Sequence, residues 1–214
     1  MRAEIVDAVK LAVEIPEREL ASAHMDGPAV SWRKAVGVGH VDEVVAHPAL
    51  GGGFFFHGMS RTGTGGGLGL ACVADVAIAT ETASFRLPET SLGVVPAQIA
   101  PFLVERLGYS QAKRLAVTGG RLDAAQALRI GLVHQQVTTS EVDAALQAVL
   151  ADILACAPGA LAATKALMAK ARWSAPAALI DEAAAIFSRA AQGPEGQEGT
   201  GAFLQKRKPH WVPA

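Results

Sequence analysis

Residues 65–75 read GGGLGLACVAD, and residues 84–89 read SFRLPE. Glycine has no Cβ, so a bound group can closely approach the backbone N–H groups beside it. The apolar turn after the glycines predicts a helix, whose first turn presents unsatisfied N–H donors and the positive end of the helix dipole. Donors of this kind stabilise a developing oxyanion. The first stretch therefore predicts an oxyanion-binding helix N-terminus, although the same glycines would also suit close packing of a helix on a sheet.

The residues after this helix predict two short strands, at residues 75–80 and 84–87. The second strand leads into Pro88 and Glu89, which we expect in a loop, where catalytic side chains are common. N–H donors on one side and a carboxylate on the other form a minimal site for proton transfer beside a carbonyl. The alternative interpretation is that Glu89 is an ordinary surface carboxylate.

These residues resemble the enoyl-CoA hydratase/isomerase (crotonase) superfamily. The resemblance covers residues 63–211 and continues through the motifs LGVVP (92–96), RLG (106–108), AKRL (112–115), TG (118–119), ALRIGLV (127–133) and EGTGAFLQKRKP (198–209). Within the superfamily, LPET (87–90) and PAQIAPF (96–102) are most similar to the isohexenylglutaconyl-CoA hydratases of acyclic terpene breakdown.

The resemblance implies an α/β, crotonase-like (ClpP/crotonase) fold, with a partial N-terminal β-α spiral followed by a C-terminal helical trimerisation region. We expect residues 63–140 to form the core and residues 141–214 the helical region. Residues 1–62 do not match the family, and the segment that usually supplies the first oxyanion donor is not recognisable there. We expect a divergent N-terminus or, because the match begins abruptly, a reading frame truncated or shifted upstream of about residue 63.

The resemblance also assigns roles to individual residues. Gly66 would bind the thioester oxygen through its N–H, and Glu89 would be the catalytic acid and base. The neighbouring glycines Gly65, Gly67 and Gly69 would border the substrate. Phe187 and Lys206 align with an aromatic residue and a lysine that contact coenzyme A in relatives. Without the resemblance, Phe187 would be interpreted as core and Lys206 as part of a solvated basic helix end.

One position departs from the hydratase pattern. Hydratases generally carry a second glutamate in the glycine helix, and here that position is Gly69. A general acid or base typically contributes 10²–10⁴-fold to a rate. The absence of this second glutamate weakens the argument for ordinary short-chain hydration. The resemblance implies a single glutamate both for isomerases of the superfamily and for the terpene-type hydratases.

The composition is that of a globular protein. The chain has 214 residues, 50% of them hydrophobic and 18% charged, and a formal net charge of −1. This charge gives no reason to expect nucleic acid or a membrane surface as a partner. No apolar run reaches the ~18 residues of a transmembrane helix, and the first residues do not resemble a signal peptide, so we expect a soluble cytoplasmic protein. Cys72 and Cys156 lie in apolar patterns and are predicted to be buried, reduced thiols.

The second half of the chain is predicted to be helical. Helices are expected at residues 98–107, 111–117 and 124–130, with Ser110 and Asp123 as caps of the second and third. A strand is expected at residues 132–137, and a capping box of Ser140 and Asp143 before a helix that ends at Cys156. Three further helices are expected at residues 158–173, 176–191 and 195–206.

The six histidines show no metal-ligand spacing. His134, within a strand pattern, is predicted to be a structural residue. We expect no metal and no redox cofactor, because coenzyme A would be part of the substrate.

These observations predict an enzyme that hydrates an α,β-unsaturated acyl-CoA thioester, with a branched glutaconyl-type acyl group as the specific expectation. The resemblance implies a homotrimer or a dimer of trimers. Two alternatives remain: an enoyl-CoA double-bond isomerase that also uses Glu89, and a truncated, catalytically inert product that keeps the helices but lacks the first oxyanion donor.

Overall fold

The computed structural model describes residues 30–31, 43–46, 54–59, 62–64 and 66–212. These residues divide into two compact units, one extending to Leu146 and the other beginning at Gln147. The first unit contains all the described strands, and the second is helical. The predicted division into residues 1–62, 63–140 and 141–214 remains a prediction.

A five-stranded sheet forms one layer of the first unit. It comprises β1 (Val30–Ser31), β2 (Glu43–Ala46), β3 (Phe54–Met59), β5 (Val76–Thr80) and β8 (Gln135–Val137), in the order β1-β2-β3-β5-β8. The first three strands pair antiparallel, whereas β3, β5 and β8 pair parallel. Parallel neighbours need a crossover connection, and helix α1 (Gly66–Val73) lies in the connection between β3 and β5.

A second sheet of three strands is formed by β4 (Thr62–Thr64), β6 (Ser84–Arg86) and β7 (Arg121–Asp123). Strand β6 lies in its centre, parallel to β4 and antiparallel to β7. Its central residue, Phe85, is fully buried. The predicted strands at residues 75–80 and 84–87 are thus confirmed within one residue as β5 and β6. Strands β1 to β4 were not predicted.

Helix α2 (Ala100–Thr118) covers the range of two predicted helices. The break expected between them is a kink at Gly108, whose φ of 71° and ψ of 158° are not helical. Gly108 thus separates two helical segments, which confirms the predicted end of the first helix at this residue. The capping role of Ser110 for the second segment remains a prediction. The buried side chains of α2 are Leu103, Ala112 and Leu115.

The core of the first unit forms where α1 contacts α2 and strand β4. Its members are small or aliphatic side chains from the helices and strands, and Phe85 is its one aromatic residue within the described part of the chain: Leu68, Ala71, Ala74, Ala77, Ala79, Ala83, Phe85, Leu87, Ile99, Leu103, Ala112, Leu115, Leu122, Ala124, Ala127, Leu132 and Val133. Burial of apolar area at about 25 cal/mol per Å² stabilises this packing.

Helix α3 (Ala124–Arg129) begins as the sequence predicts. The Asp123 carboxylate accepts a hydrogen bond from the Gln126 N–H, and the Gln126 side chain accepts one from the Asp123 N–H. The expected capping box of Ser140 and Asp143 is wrong by two residues. Thr138 and Glu141 form it instead, at a 3₁₀ turn (Thr139–Glu141) before α4 (Val142–Leu154).

The second unit contains α5 (Pro158–Ala171), α6 (Pro176–Gln192) and α7 (Pro194–Leu204), which confirm the three predicted helices. Helix α6 packs on both α5 and α7. Ala157 cannot cap α5 with its side chain, and Glu195 from α7 accepts hydrogen bonds from the Gly159 and Ala160 N–H groups instead. A carboxylate at a helix N-terminus is favourable because of the helix dipole.

In the described residues no single helix has the length and apolarity to cross a membrane. One bent helix pair, Thr139–Leu154 with Pro158–Ala171, passes the same criteria by length and composition only.

Candidate active site

Helix α1 places three of the predicted glycines at its start. It begins at Gly66, continues through Gly67 and includes Gly69, whereas Gly65 lies outside the described residues. The first four N–H groups of a helix have no acceptor within it. Gly66 and Gly69 are three residues apart and therefore share one face of the helix. The oxyanion role of Gly66 remains a prediction, and the helix start at this residue is compatible with it.

The opposite end of α1 is held by Arg106 from helix α2. Its guanidinium donates hydrogen bonds to the backbone oxygens of Ala71 (3.2 Å) and Leu132 (3.3 Å). Cations are favourable near a helix C-terminus. Partial burial lowers the pKa of Arg106 from its usual value, which its neighbours Cys72 and Asp75 oppose. The sequence contains Arg106 within a family motif but does not reveal this anchoring role.

The Cys72 thiol lies near Arg106 in a largely buried environment. Burial raises its pKa to about 12, although the nearby Arg106 guanidinium acts in the opposite direction. A thiol with this pKa remains protonated near neutral pH. Cys72 is a free, half-buried thiol, close to the predicted burial, whereas the predicted burial of Cys156 is wrong because that residue is exposed just after α4.

Glu89 begins a short 3₁₀ helix (Glu89–Leu92) directly after Pro88. The turn closes with Gly93 at a φ of 75°, a left-handed conformation that glycine adopts without strain. The backbone oxygen of Glu89 accepts a hydrogen bond from the Val94 N–H at 3.0 Å. The backbone at Glu89 is thus fixed by local hydrogen bonds, and the predicted loop is an ordered turn.

The carboxylate of Glu89 has an unusual environment. Among the described side chains, its Oε2 is the one buried polar atom that lacks a hydrogen-bond partner. A buried acceptor without a partner typically costs about 1–3 kcal/mol, and for that reason most such atoms in proteins are paired. An oxygen kept in this state is available to a bound substrate or to water.

The Glu89 turn is tied to the end of helix α2. Thr90 donates a hydrogen bond from Oγ1 to the Ala116 backbone oxygen at 2.7 Å, and the Leu87 N–H donates to the Gly120 oxygen at 3.2 Å. Ser91 donates from Oγ to the Pro88 oxygen at 2.6 Å. These contacts fix the direction in which Glu89 leaves the backbone.

The remaining candidate residues belong to the second unit. The Phe187 side chain is 74% exposed, so the interpretation of this residue as core is wrong. Lys206 is exposed after α7 and has a φ of 52°. The adjacent Arg207 pairs with Glu198, donating hydrogen bonds of 2.6 and 2.7 Å to its two carboxylate oxygens. The first unit thus holds Gly66, Gly67, Gly69 and Glu89, and the second holds Phe187 and Lys206.

His134 has a structural role, as predicted. Its ring Nδ1 accepts a hydrogen bond from the Ala77 N–H at 2.9 Å, and the backbone N–H of His134 donates to the Ala77 oxygen at 2.7 Å. Partial burial lowers the pKa of His134, Arg106 lowers it further, and Asp75 acts in the opposite direction. No group of three potential metal ligands occurs in the part of the chain that the structure describes.

Comparison with known proteins identifies the family. Residues 58–213 match the enoyl-CoA hydratase/isomerase family model. The chain belongs to the enoyl-CoA hydratase/isomerase family, and the predicted crotonase-like α/β fold with a helical C-terminal region is confirmed.

Three similar proteins illustrate the relationship. An enoyl-CoA hydratase/isomerase from Marinobacter aquaeolei has a TM-score of 0.70 and 51% identity, over 73% of this chain and 60% of its own. Pseudomonas aeruginosa AtuE has a TM-score of 0.70 and 51% identity, over 74% of this chain and 61% of its own. The carnitinyl-CoA dehydratase of Proteus mirabilis is 32% identical over 157 residues, which are 69% of this chain and 58% of the relative. This chain therefore spans about three-fifths of the length of these relatives.

Proposed function

We propose that this protein hydrates an α,β-unsaturated acyl-CoA thioester, with Glu89 as its acid–base group. The observation that carries the proposal is the buried Oε2 of Glu89, which has no hydrogen-bond partner among the described residues and lies on a turn fixed by hydrogen bonds. Family membership supports a CoA thioester as the substrate. The name of the related carnitinyl-CoA dehydratase also specifies a CoA thioester.

In the proposed reaction, Glu89 accepts a proton from water while the water oxygen forms a bond to C3 of the enoyl group. The C2–C3 π electrons move towards the thioester, and negative charge develops on its oxygen. The N–H of Gly66, in the first turn of α1, would stabilise this charge. Glu89 then returns the proton to C2, which gives the 3-hydroxyacyl thioester and regenerates the carboxylate.

Coenzyme A would be held by Phe187 and Lys206. The exposed Phe187 ring offers an apolar surface, and the exposed Lys206 ammonium offers a positive charge to an anionic nucleotide. Arg207 is a weaker candidate for this role because Glu198 already occupies its guanidinium. Gly65 and Gly67 would border the thioester through their backbone.

A branched glutaconyl-type acyl group is the proposed substrate, in the manner of isohexenylglutaconyl-CoA in terpene catabolism. Its support is the sequence similarity of residues 87–90 and 96–102 to that group of hydratases.

We further propose a cytoplasmic homotrimer or dimer of trimers. The large apolar side chains left exposed in the second unit support association: Met168, Trp173, Ile180, Phe187, Phe203 and Leu204.

Double-bond isomerisation is the second candidate, and the glycine at residue 69 favours it. A proton shuttle between two carbons of the substrate needs one carboxylate and no water. A catalytically inert protein is the third candidate, because the segment that usually supplies the first oxyanion donor is not recognisable in residues 1–62.

The test is to incubate the purified protein with matched 2-enoyl-CoA and 3-enoyl-CoA esters and to follow the products by NMR. Formation of the 3-hydroxyacyl-CoA supports hydration. Interconversion of the two esters with no hydroxyacyl product supports isomerisation. Absence of both products from a folded, oligomeric protein would support the inert candidate. Gel filtration with light scattering measures the oligomeric state in the same preparation.

A further inference from the structure

The side chain of Ile99, which precedes helix α2, covers the face of helix α1 that carries Gly66, one turn further along at Gly69. Gly69 follows Gly66 by three residues and shares its face. A Cβ atom added to Gly69 would lie 2.6 Å from Cγ2 of Ile99 and 3.5 Å from its Cβ. A carbon–carbon contact of 2.6 Å is well inside the normal separation of about 3.5–4.0 Å.

Ile99 cannot easily move away from this contact. It is 7% exposed and belongs to the same core cluster as Leu68 and Leu103. Its Cγ2 methyl is attached directly to Cβ, so a change of position requires rotation about a stiff, β-branched χ1. The backbone at Ile99 is also fixed, because the Leu103 N–H donates to the Ile99 oxygen at 2.9 Å.

We propose that Ile99 determines which acid–base chemistry the site can use. Its Cγ2 methyl occupies the space that any side chain at residue 69 would need, one helical turn from Gly66. Ile99 thereby excludes a second carboxylate from this face of α1. Among the described residues, Glu89 is then the only carboxylate at the site that transfers a proton to or from the substrate. The catalytic part of this inference rests on the proposed function, whereas the steric part does not.

The steric part is tested by a double-mutant cycle in thermal stability. Gly69→Ala adds a single Cβ to the wild type and should lower Tm by about 2–12 °C, as overpacking of a core does in a protein of this size. Ile99→Leu removes Cγ2 while conserving volume, so the combination Gly69→Ala/Ile99→Leu should recover more than half of that loss.

Ile99→Val is the matched control, because valine keeps a methyl at the Cγ2 position. Gly69→Ala/Ile99→Val should recover none of the loss. An equal decrease in Tm for Gly69→Ala in the wild-type, Ile99→Leu and Ile99→Val backgrounds would overturn the proposal. This cycle needs no turnover, so it remains decisive if the protein proves inactive.

The catalytic part is tested with crotonyl-CoA hydration by Gly69→Glu and Gly69→Glu/Ile99→Ala. We expect the single variant to be no more active than the wild type, and the double variant to exceed the single one by roughly tenfold or more, because a second acid–base group then fits. A folded Gly69→Glu variant that gains activity without any change at Ile99 would overturn the proposal. Equal activity of the two folded variants would overturn it as well.

If the single variant fails to fold, recovery of folding by the double variant supports the steric exclusion, and failure of both contradicts it. Failure of the proposed function would look different, with no variant hydrating while the Tm cycle still shows the coupling.

Discussion

Glu89 and Glu198 show how differently the two units of this protein treat a carboxylate. Glu198, in helix α7, accepts two hydrogen bonds from Arg207 and one from the His210 N–H. Hydrogen bonding by Arg207 is the main reason that the pKa of Glu198 falls from 4.5 to about 2. Glu89, by contrast, has a buried Oε2 with no partner among the described residues.

The difference separates a structural group from a chemical one. A carboxylate whose oxygens are all occupied holds two segments together, here α7 and the residues after it, and has no oxygen available for a reactant. A carboxylate with an unoccupied, buried oxygen decreases stability, and it persists at functional sites because that oxygen is needed there.

The largest effect is expected for Glu89→Gln. The amide keeps the size of the side chain but cannot take a proton from water, so we expect kcat for enoyl-CoA turnover to fall by about 10²–10⁴-fold. Tm, the oligomeric state and binding of a saturated acyl-CoA should remain as in the wild type. Turnover is measured by loss of the enoyl thioester absorbance. Substantial retained activity would place the base at another residue.

Glu198→Gln should have the opposite profile, with lower stability as its main effect. The lowered pKa of Glu198 means that its contribution to stability is complete above about pH 4.5 and is lost as the pH falls towards 2. Tm of the wild type should therefore decrease over this range, and the decrease should be shallower in the variant, which starts from a lower Tm. Parallel Tm curves for the two proteins would show that the Glu198–Arg207 pair does not stabilise the fold.

A smaller effect is expected at Thr90, which orients the Glu89 turn. Thr90→Val removes the hydrogen bond to the Ala116 oxygen while keeping the shape, and one such bond contributes about 0.5–1.5 kcal/mol. We expect kcat to fall by roughly two- to tenfold with KM unchanged. Thr90→Ser keeps the hydroxyl and should restore kcat. If the two variants behave alike, the hydroxyl does not position Glu89.

The smallest effect is expected at His134, which is partly exposed and has a structural role separate from those of Glu89 and Glu198. Its lowered pKa means that the folded protein favours the neutral ring, whose Nδ1 accepts from the Ala77 N–H. Its contribution to stability is present above the ordinary pKa of 6.5 and decreases as the pH falls. The protection of the Ala77 N–H against hydrogen exchange, taken relative to the intrinsic base-catalysed rate at each pH, should therefore decrease between pH 7.5 and about 5.5. In His134→Asn, whose Oδ1 can accept without titrating, this decrease in protection should be absent, and an identical pH dependence would contradict the account.

Local signals in the sequence predicted the elements around Glu89. Glycines next to an apolar turn predicted α1, and short apolar runs separated by polar turns predicted β5 and β6. Asp123 predicted the start of α3 because a capping box involves residues only three positions apart. In each of these cases the stabilising contacts lie within one turn or one strand of the residues that signal them.

Contacts between distant residues were not predictable. The Ile99–Gly69 and Arg106–Ala71 contacts join residues 30 and 35 positions apart, and nothing in either local pattern indicates the partner. Strands β1 to β4 have two to six residues each without clean apolar–polar alternation, and they form through pairing with other strands. The Glu198–Arg207 pair depends on the left-handed residue Lys206, which brings the chain back towards α7. The composition of the KRK segment alone predicts only positive charge.

The central claim is that Glu89 returns to C2 the proton it takes from water. Its most direct test is turnover of an enoyl-CoA in D₂O, with NMR detection of deuterium at C2 of the 3-hydroxyacyl product. The wild type should place one deuteron there, and Glu89→Gln should place essentially none in the same time. Equal incorporation by the two proteins would contradict the account.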